Sequence, residues 1–308
     1  MMLNFFYPSG GGIMQKKYVL GYVYAVLSAV IYGCMPLMAK LIYADGVNSL
    51  TLSFLRNTLS LPFLAVLALR TKGTLRIPMK LLPSITLLSV LGCTLTPVLL
   101  FSSYEYIASG TATVLHFVYP AVVVIGGIIL LKKRIRLLSI VSVLLCVAGI
   151  SLFYTPGAAL NLTGSALAFG SGIAFALYVV LLSVFPSTEV SGFLFTFYIT
   201  AVSSVILLPL CLMTGKLVLP STATSWLLCL FFAAMVSCCA VVLFQQSAFI
   251  IGGERTSILS TLEPVTGIVV GAVVFSEPVS IRTLLGSALV IGASLLIALA
   301  DIKRSQNN

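Results

Sequence analysis

Residues 18–39 read YVLGYVYAVLSAVIYGCMPLMA, and residues 163–185 read TGSALAFGSGIAFALYVVLLSVF. Neither run contains a charged residue. At about 1.5 Å per residue, each is long enough to cross roughly 30 Å of lipid hydrocarbon as a helix. An offset of 143 lays one run on the other: Gly21, Ala25, Ala29, Tyr32 and Gly33 meet Gly164, Ala168, Gly172, Phe175 and Ala176. The small residues recur every fourth position, on one helix face, where they let backbones approach closely in lipid. The aromatic position aligns as well, which chance overlap in an alanine- and glycine-rich chain does not require.

Working outward, apolar runs occupy about 18–39, 48–69, 81–101, 107–131, 137–154, 163–185, 191–213, 225–249, 256–275 and 283–300. The fifth and tenth are the shortest. Charges or helix breakers mark the joints: Asp45-Gly46, Pro78, Glu105, Lys132 to Arg136, Pro156-Gly157, Pro186, Pro220, Gly252-Gly253 and Glu277-Pro278. An offset of 144 lays the fourth run on the ninth, so that Ala108, Thr113, Pro120 and Lys133 meet Gly252, Ser257, Pro264 and Glu277. The fold class predicted is all-α: a polytopic membrane bundle of ten transmembrane helices built from two inverted five-helix repeats. Residues 18–154 form the first repeat and 163–300 the second, with 1–17 an N-terminal extension and 301–308 a cytoplasmic tail. The inversion follows from parity. Five spans per half force the second half to enter the membrane in the opposite sense, a recurring plan of secondary transporters.

Composition agrees. Of 308 residues, 60% are hydrophobic and 8% charged, whereas a soluble domain carries about 25% charged residues. The net charge of +10 does not imply nucleic-acid binding, because the cations sit in short loops beside apolar runs. With the N-terminus inside, the inner side holds Lys16, Lys17, Arg70, Lys72, Arg76, Lys80, Lys132, Lys133, Arg134, Arg136, Arg255, Lys303 and Arg304, and the outer side Lys40, Lys216 and Arg282. That asymmetry places both termini in the cytoplasm and Trp226 at the outer interface. The seven cysteines (Cys34, Cys93, Cys146, Cys211, Cys229, Cys238 and Cys239) lie inside apolar runs without CxxC spacing. They read as small packing residues rather than metal ligands. Residues 1–17 do not read as a signal peptide, since Asn4, Pro8 and Ser9-Gly10-Gly11-Gly12 interrupt any apolar core. Met14, before Gln15-Lys16-Lys17, reads as the natural start.

Ordered motifs sharpen this reading. The first run ends Ala29-Val30-Ile31-Tyr32-Gly33, and the second contains Phe54-Leu55-Arg56. Tyr104-Glu105-Tyr106-Ile107-Ala108-Ser109-Gly110-Thr111-Ala112 leads to Tyr119-Pro120. Leu262-Glu263-Pro264-Val265 leads to Phe275-Ser276-Glu277-Pro278, then Gly286 and Gly292. Across nearly all of residues 18–300 the chain resembles the EamA-like branch of the drug/metabolite transporter superfamily. The resemblance implies a ten-helix bundle whose central cavity is lined mainly by the first, third, fourth, sixth, eighth and ninth spans. It also implies export or exchange of metabolites such as amino acids. One departure stands out: Lys133 occupies the position where the first-half motif usually ends in glutamate, and only Glu277 keeps that acid.

Charged groups deep in a bilayer are costly and usually face a cavity or a partner. Arg56 lies about 12 Å into the second span from outside, and Glu263 roughly 12 Å into the ninth from inside. Glu263 reads either as a group that binds an amine or couples a proton, or as a structural charge. Arg56 reads as a structural intramembrane charge, since the second span is not expected at the cavity. His116, roughly 12 Å into the fourth span, reads either as a proton relay or as a hydrogen-bonded packing residue. Tyr119 and Glu263 occupy matched positions, each just before a proline. Pro120 and Pro264 free a backbone carbonyl one turn earlier and bend their helices. Gln245 and Gln246 are costly in lipid, so at least one is expected to face inward. Tyr32, Phe175, Tyr178 and Tyr198 are candidate aromatic walls, with plain packing as the alternative. Gly267 and Gly271 form a GxxxG read as a contact within the fold.

The expected function is transport of a small-molecule substrate by alternating access, driven by a substrate gradient or by coupled protons or counter-substrate. No GxxxxGK[ST] phosphate loop is present. No cofactor, metal or catalytic residue is called. An intramembrane enzyme is the alternative, but it needs convergent groups such as HExxH or paired aspartates. Asp45 and Asp301, the only aspartates, lie outside the spans. A channel is expected to show a ring of repeated charges or carbonyls, and no such pattern appears.

Overall fold

In the computed structural model, residues 11–107, 109–132, 137–152, 161–185, 190–275 and 280–306 are described. Lys133, Arg134, Arg136, Pro156, Gly157, Pro186, Ala108, Ser276, Glu277, Pro278 and residues 1–10 lie outside them, and so do the expectations placed on those positions. Among the described residues every regular element is helical. Seven helices are long and apolar enough to cross a membrane, by length and composition.

The first, α1, runs over Gly11–Gly33 and resumes at Met35–Tyr43. It therefore begins within the stretch read as an extension. The helices α2 (Ser49–Lys72) and α3 (Met79–Ser103) follow. Next, α4 comes in two pieces, Ser109–His116 and Tyr119–Ile129, and α5 is Leu137–Ser151. The second half begins with α6 (Leu162–Leu182) and α7 (Gly192–Met213). A long α8 (Ala223–Ile251) leads to α9, again in two pieces, Gly253–Leu259 and Leu262–Phe275. Last, α10 is Ile281–Gln306, which continues into the stretch read as a tail. The apolar parts of α5 and α10, Leu137–Ser151 and Leu284–Ala293, are shorter than the seven long spans.

Local irregularities recur between the halves. Both α2 and α7 start on a side-chain cap: Asn48 accepts from Thr51 N, and Ser191 from Leu194 N. Both α4 and α9 break just before or at their first proline-bearing turn. Deeper in the bundle, α3 turns π-helical over Ser89–Leu95 and α8 over Ala234–Ala240. In both, the closing bond reaches five residues back, from Thr96 N to Leu91 O and from Val241 N to Val236 O. Such segments loosen the ladder, and neighbours supply donors to their carbonyls. Asn57 Nδ2 and Ser203 Oγ donate to Cys93 O at 3.1 and 3.0 Å. Ser28 Oγ donates to Ala240 O at 2.9 Å.

Packing follows the same pairing. The most extensive contacts join α2 to α7 and α5 to α10, while α1 packs on α8 and α3 on α6. Stretches from both halves gather at one end of the bundle. Asn48 Nδ2 and Thr51 Oγ1 donate to Lys216 O at 2.6 and 2.7 Å. Ser49 Oγ donates to Glu105 Oε1 at 2.8 Å, and Gly164 lies against Tyr106 and Ile107. Ser221 donates from Oγ and N to Asp45 at 2.6 and 2.8 Å. At the other end, Gly21 lies against Ile250 and Ile251, and Tyr198 Oη donates to Leu75 O at 2.7 Å.

Candidate functional site

The helix breaks of α4 and α9 and the π-helical segment of α3 reach a central cavity with about 670 Å³ of empty space, counting the part that opens to solvent. Its walls come from Tyr32 and Met35 of α1, Arg56 of α2, and Gly92, Cys93, Thr96, Pro97, Leu100 and Phe101 of α3. His116 and Tyr119 of α4, Phe175 and Tyr178 of α6, Val241 and Phe244 of α8, and Ser260 and Glu263 of α9 complete them. Repeat-related positions meet here in pairs: Tyr32 with Phe175, Met35 with Tyr178, His116 with Ser260, and Tyr119 with Glu263.

Close helix contacts set the lining. A Cβ on Gly33 would stand 2.6 Å from the backbone oxygen of Glu263, so α1 holds α9 at contact distance there. One on Gly172 would run into the backbone oxygen of His116. Both positions need a missing side chain, and both bring an ionisable residue to the cavity edge. A Cβ on Gly267 would stand 3.3 Å from Gly33 O, so that end of the GxxxG is a contact inside the fold.

The wall is largely aromatic. Phe175 meets Tyr119 edge-on with centroids 4.8 Å apart, stacks on Tyr178 at 5.6 Å, and lies 5.3 Å from Phe244 and 5.7 Å from His116. His116 is buried, with Nδ1 2.8 Å from Ser171 Oγ. Glu263 is half-buried and lines the cavity. Arg56 is only 5% exposed, and its Nε finds no hydrogen-bond partner among the described residues.

Seven of the predicted residues therefore share one cavity: Tyr32, Arg56, His116, Tyr119, Phe175, Tyr178 and Glu263. Arg56 is there although its span was expected elsewhere. Gln245 is one step behind the wall. It is fully buried, donates from Nε2 to Tyr178 Oη at 2.9 Å, and accepts at Oε1 from Thr196 at 2.6 Å. Gln246 does not line the cavity and packs against Gly192. Pro120 and Pro264 stand immediately behind Tyr119 and Glu263 without lining it themselves. Tyr198 is held by Leu75 O, away from the wall. Reading the sequence alone missed Gly92, Thr96, Pro97, Phe101 and Phe244. For α3 a signal existed, because Gly92 lies within the π-helical stretch and Pro97 just after it. For Phe244 none did. Among the described residues no group of three or more His, Cys, Asp or Glu side chains forms a metal site, and all seven cysteines are free.

The EamA-like transporter family model matches the chain twice, over residues 19–155 and 162–299. The chain belongs to this family. An "Uncharacterized transporter" of Archaeoglobus fulgidus is 30% identical over 277 residues, covering 89% of this chain and 94% of that one. The "Uncharacterized inner membrane transporter YicL" of Salmonella typhimurium is 25% identical over 232 residues, covering 72% and 75%. A solved crystal structure superposes with a TM-score of 0.74 at 16% identity, covering 91% of this chain and 96% of that chain, which speaks to fold alone. As an EamA-like transporter, the protein is a multi-pass membrane protein with a small-molecule substrate. Ligand pockets typically have mostly apolar walls with a few polar groups, and this wall combines the two.

Proposed function

We propose that this EamA-like transporter is a secondary carrier moving a small, amino acid-like metabolite across the cytoplasmic membrane by alternating access. Its direction is export or exchange, coupled to protons or to a counter-substrate. The observation that carries this reading is the lining of one cavity by repeat-related residues from both halves. Near-equivalent halves can exchange conformations, which opens a shared site first to one side and then to the other.

Ten crossings in two opposed halves belong to the same proposal, with both termini cytoplasmic. Support comes from the ends that meet. The stretches after α1 and α7 join through Asn48 and Lys216. The start of α6 touches the stretch after α3. The first helix of each half thus runs opposite to the other. The apolar, broken α9 and the shorter α5 and α10 supply the remaining three crossings. Glu263 is the coupling or amine-binding group. His116, Tyr119, Tyr32, Phe175 and Tyr178 shape the pocket, and Gln245 orients Tyr178.

The test is reconstitution into liposomes with labelled amino acids, nucleosides and sugar derivatives, with and without a pH gradient. The expected result is saturable uptake accelerated by unlabelled solute on the far side. Flux without counterflow or saturation would indicate a pore. Conversion of a lipid-soluble substrate to product would indicate an enzyme. Either result would sink the proposal.

A further inference from the structure

Arg56 brings a positive charge to the cavity that no described residue pairs at hydrogen-bond distance. Its side chain is buried, its Nε is fully enclosed without a partner, and no hydrogen bond from its guanidinium to another described residue is found. An arginine that merely ties helices together is expected to spend its donors on a carboxylate or on backbone carbonyls. The neighbouring helix contact goes the other way: Ser237 Oγ donates to the backbone oxygen of Arg56, at 3.3 Å. Leaving a buried charge without a partner is strongly unfavourable. Such an arrangement is best explained by a partner that comes and goes.

The position also breaks the pairing of the two halves. The cap residues Asn48 and Ser191 set the offset between α2 and α7, and Arg56 then corresponds to Ile199. Ile199 is buried and does not line the cavity. The acid is unpaired in the same sense, since Glu263 corresponds to Tyr119. Both charges are thus additions to a near-symmetric pocket. Tyr32 lies within electrostatic reach of both. Phe101, Phe175, Phe244 and Val241 give the same wall a large apolar share.

We propose that Arg56 is the carboxylate-binding group of the cavity, so that the solute carries a free carboxylate on an apolar body. This rests on the carrier reading for its meaning, though not for its test. A guanidinium presents a planar fork of donors that a carboxylate accepts in pairs. Glu263, on the same wall, is then the group left to receive an ammonium group or a proton.

The test uses purified protein in lipid nanodiscs and direct binding of matched probes: L-leucine, L-phenylalanine, 4-methylpentanoate and 3-phenylpropanoate, each against its amide. At least one acid is expected to bind wild-type protein about tenfold or more tighter than its amide, the loss typical of a charge-assisted contact. Arg56→Gln is expected to abolish that preference, and Arg56→Lys to keep part of it. Amides that bind as well as acids would overturn the proposal, as would failure of every acid to bind. So would an undiminished acid preference in Arg56→Gln. If Arg56→Gln does not fold, the wild-type comparison of acid and amide still decides. Counterflow of the tightest-binding acid is measured separately in liposomes. Binding without counterflow would refute the carrier reading while leaving the assignment of Arg56 intact.

Discussion

His116 Nδ1 and the hydroxyl of Ser171, 2.8 Å apart on helices of opposite halves, share a buried hydrogen bond. Ser171→Ala is therefore expected to slow initial exchange roughly two- to tenfold, the value of one net hydrogen bond. Ser171→Thr is expected to restore it. Equal rates in Ser171→Ala and wild type, at equal protein in the membrane, would remove the hydroxyl from the working site.

Glu263→Gln keeps the shape of the side chain and removes its charge. Transport is expected to fall about tenfold or more, in line with loss of a charged hydrogen bond, while the amount of protein in the membrane holds. Normal transport by the variant would show that the carboxylate at the cavity wall plays no part.

Gln245 connects Thr196 to Tyr178 in a fully buried position. Gln245→Leu is expected to leave the Tyr178 hydroxyl without its donor, while Thr196 keeps Gly192 O as an acceptor, and to cost about 1–3 kcal/mol. Denaturant unfolding in detergent micelles measures this. A stability change within about 0.5 kcal/mol, the range of unremarkable surface changes, would mean that the bridge is dispensable.

At Gly92 the added carbon of alanine would stand 2.6 Å from a ring carbon of Tyr178. Gly92→Ala is expected to destabilise by about 1–3 kcal/mol through overpacking. The double variant Gly92→Ala with Tyr178→Ala should show a coupling energy that recovers part of the loss. Strict additivity of the two single changes would contradict the contact.

Asp45 ties the stretch after α1 to the stretch after α7. The Ser221 hydroxyl, and then the Ser221 backbone N–H, hold its carboxyl below the usual aspartate range. A depressed value in the folded state means that the tie is fully present above the unfolded value, about 3.9, and is lost as pH falls through the folded value. Spin labels at Ala44 and Leu219 are expected to keep a narrow distance distribution at neutral pH and to broaden below about pH 4. In Asp45→Ala the distribution should be broad throughout. A narrow distribution in Asp45→Ala would show that the latch is set by other contacts.

Much of this was legible in the sequence because lipid leaves few options. Uncharged runs of spanning length must become helices, and the offsets that align Gly21 with Gly164 and Pro120 with Pro264 carry the pairing of the halves. The same offsets brought Tyr119, Glu263, Tyr32 and Phe175 to one cavity. What stayed hidden depends on the rotation of each helix about its own axis. Adjacent glutamines look alike in sequence, yet Gln245 reaches Tyr178 and Gln246 packs on Gly192. Arg56 reads as an ordinary membrane-embedded charge until α2 is seen to turn it inward. The π-helical stretches have no composition of their own, because an extra residue in a turn leaves the apolar character unchanged.

Those two stretches, at Ser89–Leu95 and Ala234–Ala240, have a mechanical consequence as well. A turn closed by a bond five residues back is looser than an α-helical one, and the carbonyls of Cys93 and Ala240 are held instead from α2, α7 and α1. The third helix of each half is therefore pinned from outside at its loosest turn, so its local geometry depends on where those neighbours sit.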